Sequence, residues 1–275
     1  MMKNRLSFIL AVILALSFTA CTAPIPEADP DLRITIPKIG KADSIVITGS
    51  SECVVIDTGE SDDYYEIESN LQKLGIENID HLILTHFDKD HIGSAPMIME
   101  NFVVDEVLMP DYTGNNQEYD LLMEFLEKDT VAYRYITKTE SFSSCGCDFV
   151  IYPPYLDTYA DSNDNNHSLI TAVKAGSNSY LFAGDAEEER LTEIMAENIG
   201  EFDFLKMPHH GNYNKKLEAF IASVDPGYAV ITCSDKNPPD KKTLALLKAS
   251  GVKVYQTKDG DITILNYKDK IGIIQ

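Results

Sequence analysis

Residues 84–94 read LTHFDKDHIGS and follow directly on the run Asp80-His81-Leu82-Ile83. His86, Asp88, Asp90 and His91 stand within six positions of one another. A loop leaving the carboxyl end of a buried strand lets several side chains converge on one point, which the alternation of a continuing strand would prevent. Imidazole nitrogens and carboxylate oxygens both coordinate divalent cations, so these four groups suffice to begin a two-metal site. The same residues also suit a solvated turn with a helix starting at Asp90 or Ser94. Alone, the loop does not choose.

Two later stretches repeat the arrangement. Tyr180-Leu181-Phe182-Ala183-Gly184-Asp185 is an apolar strand closing on Gly-Asp, with a helical pattern over residues 186–199 directly behind it. Asp185 there suits either a ligand or the cap of that helix. Leu205-Lys206-Met207-Pro208-His209-His210-Gly211 is again an apolar strand that breaks into histidines. A His-His pair after a buried strand is an uncommon way to fill a core. Five of the six histidines stand beside acidic residues or one another, which favours the ligand reading.

With 275 residues, 44% of them hydrophobic, the chain has material for a sizeable core. Strands are expected at residues 32–36, 44–48, 53–56, 81–84, 104–109, 148–152, 168–173, 180–182, 202–207, 228–232, 252–255 and 262–265. Helical patterns fall between them. Ile67, Leu71 and Leu74 keep i, i+4, i+7 spacing, and residues 119–126, 186–199, 217–224 and 241–249 complete the set. A hairpin-rich opening followed by strand–helix alternation predicts an α/β sandwich with helices covering paired sheets, a single domain over residues 32–275.

The N-terminus reads differently. Lys3 and Arg5 precede a nearly unbroken apolar run over residues 6–20 that ends in small residues, the pattern of a secretory signal and too short for a membrane span. Phe18-Thr19-Ala20-Cys21 resembles the bacterial lipoprotein cleavage box, with Phe18 where leucine is usual. That resemblance implies removal of residues 1–20 and a lipid on Cys21, which would anchor an extracytoplasmic domain to the membrane through the lipid only. Plain secretion, with Cys21 a bystander, is the other reading. Residues 21–31 hold three prolines and no periodicity, as a tether would. Cleavage would remove two cations and no acid, taking the formal charge from −21 to −23. So acidic a chain argues against long nucleic acid or anionic headgroups held by general electrostatics, though not against a small anion held at a metal. Cys53 and Cys233 read as buried thiols, while Cys145-Gly146-Cys147 is too tight for an easy disulfide and lacks a second pair for structural zinc.

Six short stretches follow one another in a telling order. They are Ile39-Gly40-Lys41-Ala42-Asp43, Val54-Val55-Ile56-Asp57-Thr58-Gly59, Thr85-His86-Phe87-Asp88-Lys89-Asp90-His91, Asn165-Asn166-His167-Ser168-Leu169, Gly184-Asp185 and Pro208-His209-His210-Gly211. Together they resemble the metallo-β-lactamase superfamily, and within it are most similar to the ComEC-like branch of hydrolase domains from competence DNA-uptake proteins. The first resembles that branch's Val-Gly-x-Gly-Asp turn, with Ala42 where glycine is usual. The third matches the His-x-His/Asp-x-Asp-His signature in its Asp-containing form.

The resemblance implies a four-layer αββα sandwich holding two divalent metal ions, zinc or manganese. His86 and Asp88 would bind one ion, Asp90 and His91 the other, and Asp185 would bridge both. One of His209 and His210 would complete the second ion while its neighbour contacts substrate; the superfamily's Pro-Gly-His-Gly form favours His210 as the ligand. His167, 18 residues before Asp185, falls where the remaining histidine ligand is expected, a position that varies in this branch. Asp88 in place of a histidine hardens the site and shifts preference toward Mn²⁺ or Fe²⁺ relative to zinc. Asn237-Pro238 stands where the branch often has His-Pro, so any substrate contact from that histidine is lost.

The chemistry so implied is hydrolysis by a water that bridges the ions, loses its proton and attacks an electrophile, with Asp90 or Asp185 orienting it and His209 polarising substrate. A phosphodiester leads as substrate, because the ComEC-like branch and the exported choline-phosphate esterases of the superfamily handle phosphoesters. Lactams, lactones and thioesters stay open, so the expected partner is a small or oligomeric ester. The competing class is a surface lipoprotein that keeps the fold and binds a ligand or partner without turnover.

Overall fold

The structure is a computed structural model, and residues 29–129, 131–160 and 164–275 are described. The expected signal over residues 1–20, the lipidation site Cys21 and most of the tether lie outside the described residues. Among the described residues no helix is long and apolar enough to cross a membrane.

Two sheets face each other. The first orders its eight strands Lys270–Ile274, Ile262–Tyr267, Leu32–Ile36, Ile45–Gly49, Glu52–Ile56, His81–Ile83, Glu106–Pro110 and Ala132–Ile136. The second orders seven: Lys253–Gln256, Tyr228–Ile231, Phe204–Lys206, Asn178–Phe182, Ile170–Ala175, Cys147–Tyr152 and Glu140–Ser144. Central strands are apolar without alternation because both of their faces are covered. In Glu52–Ile56, Val54 and Ile56 join Phe149, Val173, Phe182 and Phe204 between the sheets. Cys53 and Val55 turn the other way, toward Ile67, Ile98 and Leu122 of helices Tyr64–Lys73, Ala95–Asn101 and Gln117–Lys128. On the far side Leu181, Leu205 and Ala229 pack with Leu191, Phe220 and Leu247 of helices Glu188–Ala196, Leu217–Val224 and Lys241–Ala249. The result is the expected four-layer αββα sandwich, the metallo-β-lactamase fold.

Within the two large sheets three strands carry no expectation from the sequence: Ala132–Ile136, Glu140–Ser144 and Lys270–Ile274. All three are sheet edges, where one flank meets water and the apolar pattern thins. The 84–94 stretch combines short helical elements with buried polar side chains. It contains the short helix Lys89–Ile92, and Ser94 precedes helix Ala95–Asn101, yet Asp90 and His91 are buried.

Strand direction is what gathers the polar groups. Glu52–Ile56, His81–Ile83 and Glu106–Pro110 run parallel, as do Asn178–Phe182, Phe204–Lys206 and Tyr228–Ile231. Parallel strands deliver their carboxyl ends to one edge. Asp57, Thr85-His86, Asp185, His209-His210 and Thr232 all lie close behind such ends.

The four described cysteines are free and buried. Burial pushes their thiols up, Cys145 to about 11 and Cys147 to about 12. Since the thiolate is the reactive form, a Cys21→Ser protein at pH 8 should show no native reaction with Ellman's reagent within minutes. All four thiols should appear after unfolding in guanidinium; rapid modification of any in the native state would contradict this burial.

Candidate metal centre

The cluster is built from loops of both sheets. The ligand atoms of His86, His91 and Asp185 lie within 4.8 Å of one another, and so do those of Asp90, His91 and His210 and those of Asp43, Asp185 and His210. Asp185 spans two imidazoles with separate oxygens: Oδ1 is 3.4 Å from His91 Nε2 and Oδ2 is 3.0 Å from His210 Nε2. Asp90 Oδ2 lies 3.3 Å from His210 Nε2 and 2.8 Å from the half-exposed Lys41 ammonium.

Proton accounting fixes which way each ring faces. Thr85 donates from its backbone N–H to Asp57 Oδ1 and from its hydroxyl to Asp57 Oδ2, both at 2.8 Å. The Thr85 oxygen is then left to accept from His86 Nδ1, 3.0 Å away. His91 Nδ1 donates directly to Asp57 Oδ2 at 2.8 Å. Thr232 donates its hydroxyl to Asp43 Oδ1 at 2.5 Å and so accepts from His210 Nδ1 at 3.0 Å. In their neutral form all three imidazoles would thus carry the proton on Nδ1 and turn the Nε2 lone pair into the cluster, as a metal ligand requires.

A behind-the-scenes charge holds this frame. Lys206 and Asp43 are both fully buried, with Nζ 2.7 Å from Oδ2. Lys206 also donates to the Met207 carbonyl at 3.0 Å. Burial opposes a charge on Asp43, but the Lys206 ammonium and then His210 and His91 hold its carboxyl below the usual range. The same contest runs at the ligands. Burial works against Asp185, yet His210 and His91 keep it well below the usual carboxylate value. Burial would lower His91, but Asp185 and Asp57 raise it well above the ordinary imidazole value, and Asp185 and Asp90 raise His210. A site this rich in carboxylate calls for positive charge, which a divalent ion would supply while displacing protons.

The donor set fits such an ion. Among the described residues the Nε2 atoms of His86, His91 and His210, the Oδ1 of Asp185 and the Oδ2 of Asp90 are buried with no partner beyond ion-pair contacts with one another, with Asp88 and with Lys41. Orphaned buried polar atoms are costly, and here they converge.

Backbone strain accompanies the arrangement. Asp57 holds φ +61°, and His209 and His210 hold φ +45° and +53°, a left-handed pair that non-glycine residues seldom adopt. A Cβ at Gly184 (φ +52°) would stand 2.9 Å from Ser168 Oγ and 3.1 Å from Thr85 Cβ, so only glycine brings Asp185 this close.

Three other expected site residues lie outside these ligand groups. Asp88 is at the rim, its carboxylate 42% exposed and 3.7 Å from His86 Nε2. His209 pairs through Nδ1 with Glu187 Oε1 at 2.8 Å and lines a pocket of about 520 Å³ with Asn166, Glu188, Asn212 and Tyr213. His167 stacks on Tyr112, ring centroids 4.1 Å apart, and meets Tyr159 edge-on at 5.0 Å. Burial lowers its pKa, and both of its ring nitrogens are buried without a hydrogen-bond partner. Lys41, Lys206 and Thr232 carry no expectation from the sequence. A lysine inside an apolar strand was the one available signal, because a buried ammonium demands an anion.

Residues 38–143 match the sequence profile described as Metallo-beta-lactamase superfamily. Curated relatives include ComE operon protein 3 of Bacillus subtilis, 29% identical over 203 residues that make up 72% of this chain and 26% of that protein. Recombination protein 2 of Haemophilus influenzae is 26% identical over 255 residues, 90% of this chain and 30% of its own length. The chain therefore spans between a quarter and a third of the length of these two relatives. Among solved structures, the metallo-β-lactamase fold protein YhfI from Bacillus subtilis aligns with TM-score 0.55 and 10% identity, covering 90% of this chain and 100% of that one. Over residues 38–143 the chain is thus similar to the metallo-β-lactamase superfamily, and it shares the fold of YhfI and resembles part of ComE operon protein 3 and of Recombination protein 2.

Proposed function

We propose that this chain is a metal-dependent hydrolase of phosphodiesters, held outside the cytoplasm by a lipid on Cys21. The observation that carries the hydrolase reading is the buried convergence of three Nε2 atoms with Asp185, each imidazole proton being engaged on the outer side. His86, His91, His210, Asp90 and Asp185 would hold one or two divalent ions, with Asp88 within reach at the rim. Nitrogen and oxygen donors in this ratio accept Zn²⁺, Mn²⁺ or Fe²⁺. Bound ions would supply Lewis-acid activation of water and of the ester.

The protein's own residues do the rest. Asp57, Thr85, Thr232 and Asp43 keep the rings in one tautomer and orientation. His209, tied to Glu187 through Nδ1, presents Nε2 as an acceptor when neutral and a donor when protonated. It can therefore hold the proton that a leaving alkoxide needs. The buried walls exclude bulk water and strengthen each of these interactions.

Metal analysis of protein made without chelators tests the reading. At least one equivalent of transition metal is expected, lost in His86→Ala. Fewer than about half an equivalent, unchanged by that substitution, would remove the metal centre from consideration. A panel of phosphodiester, phosphomonoester, lactam and lactone substrates with Mn²⁺ or Zn²⁺ then reads the chemistry. Silence across the panel despite bound metal would favour a binding protein, a reading that Asn237 supports by bonding only to Ser234 among the described residues. Palmitate labelling that persists in Cys21→Ser would refute the anchor.

A further inference from the structure

A second pocket, of about 260 Å³, is lined by Lys38, Gly40, Cys233, Ser234, Asp235, Lys236 and Lys258. Its lysines come from three separate segments, so the sequence does not show them as a patch. Its lining is joined along the chain to the metal cluster at two places. Gly40 precedes Lys41, whose ammonium meets Asp90, and Cys233 follows Thr232, which holds His210.

The charges here are unevenly committed. Lys258 is paired with Asp259 at 2.8 Å, and Asp235 also lines the pocket. Asp261 is occupied by the Lys38 backbone N–H at 2.8 Å. The Lys38 and Lys236 side chains, by contrast, form no ion pair or hydrogen bond among the described residues. Two uncommitted ammoniums facing one pocket stand out in a chain with formal charge −21. The pocket on the His209 side is the opposite case, lined by Glu187, Glu188 and Glu189 with no lysine or arginine. An anionic substrate lying across the cluster is thus drawn toward the lysine side and away from the glutamate side.

We propose that the Lys38–Lys236 pocket is an anion subsite that seats a second phosphate of the same substrate, beside the ester being cleaved. This rests on the hydrolase reading and narrows it. The substrate class becomes a short phosphodiester carrying an additional phosphate group.

The test uses the metal-loaded full chain and three kinds of phosphodiester. These are bis(4-nitrophenyl) phosphate, an unphosphorylated thymidine dinucleotide, and that dinucleotide with a terminal phosphate at its 5′ or its 3′ end. One of the two terminal phosphates should raise kcat/KM by about tenfold, mostly through KM, and the gain should shrink at high salt. In Lys38→Gln/Lys236→Gln that gain should vanish, while hydrolysis of bis(4-nitrophenyl) phosphate stays within about twofold of wild type. Active enzyme with no preference for either terminal phosphate would overturn the subsite and leave the hydrolase standing. A preference that survives in the double variant would overturn the lysine assignment. If none of the three is cleaved despite bound metal, the hydrolase reading fails on its own. Calorimetry with inorganic pyrophosphate then decides the subsite, and equal affinity in wild type and double variant would overturn it.

Discussion

Asp185→Ala is expected to lower kcat on a phosphodiester by at least about 10³-fold and to strip at least one equivalent of metal, because roughly 4 kcal/mol of transition-state stabilisation is at stake at such a centre. Asp185 is the one carboxylate whose two oxygens address different imidazoles, His91 and His210. Without it, the Nε2 atoms converge with less negative charge between them, which weakens their hold on any cation. Asp185→Asn keeps the shape and removes the charge, so it should fail nearly as badly. Circular dichroism should show both variants folded. Retention of full metal content with kcat within about tenfold of wild type would show that Asp185 is no ligand.

The second large effect is on stability. Lys206→Met leaves the fully buried Asp43 without its cation, and breaking a buried pair from one side costs about 3–5 kcal/mol. For a domain of this size that is a fall in Tm of roughly 6–20 °C. Adding Asp43→Asn should restore at least about half of the loss, since it removes the stranded charge while keeping an oxygen for Thr232. The sign with pH follows from the lowered carboxyl of Asp43. Its contribution is full above the ordinary value of 3.8 and is lost as pH falls through the lower folded value. Thermal melts of the single and double variants, with and without chelator, check this. A Lys206→Met protein as stable as wild type would mean that the pair is not buried together.

The sequence disclosed the candidate ligands more readily than the frame around them. His86, Asp90, His91, Asp185 and His210 each follow an apolar run closely, so local pattern alone could single them out. Thr232 and Asp43 meet across 189 residues, and no spacing rule reaches that far. Lys206 looked like an interruption of a strand until its partner arrived from the other sheet. The edge strands were missed for a different reason. Glu140–Ser144 has only Ser144 buried, and a strand that packs one flank shows half a pattern. His167 marks another boundary of sequence reading. Its place along the chain suits a ligand, its ring packs on Tyr112 and Tyr159, and nothing in Asn165-Asn166-His167 announces those contacts.

The Lys206–Asp43 pair also limits how the molecule can come apart. Asp43 leads into a strand of one sheet, and Lys206 ends a strand in the interior of the other. If the sheets parted while each stayed folded, each would carry one member of the pair as a bare charge, at a cost of several kcal/mol. Sliding or splaying of one layer against the other is therefore penalised beyond the apolar area it exposes, and the sandwich should melt as one cooperative unit. Because Asp43 also steers Thr232 and His210, a fragment containing only one sheet would lose the aim of its ligands along with its fold. Proteolytic halves of this protein should be inert even where each keeps most of its own strands.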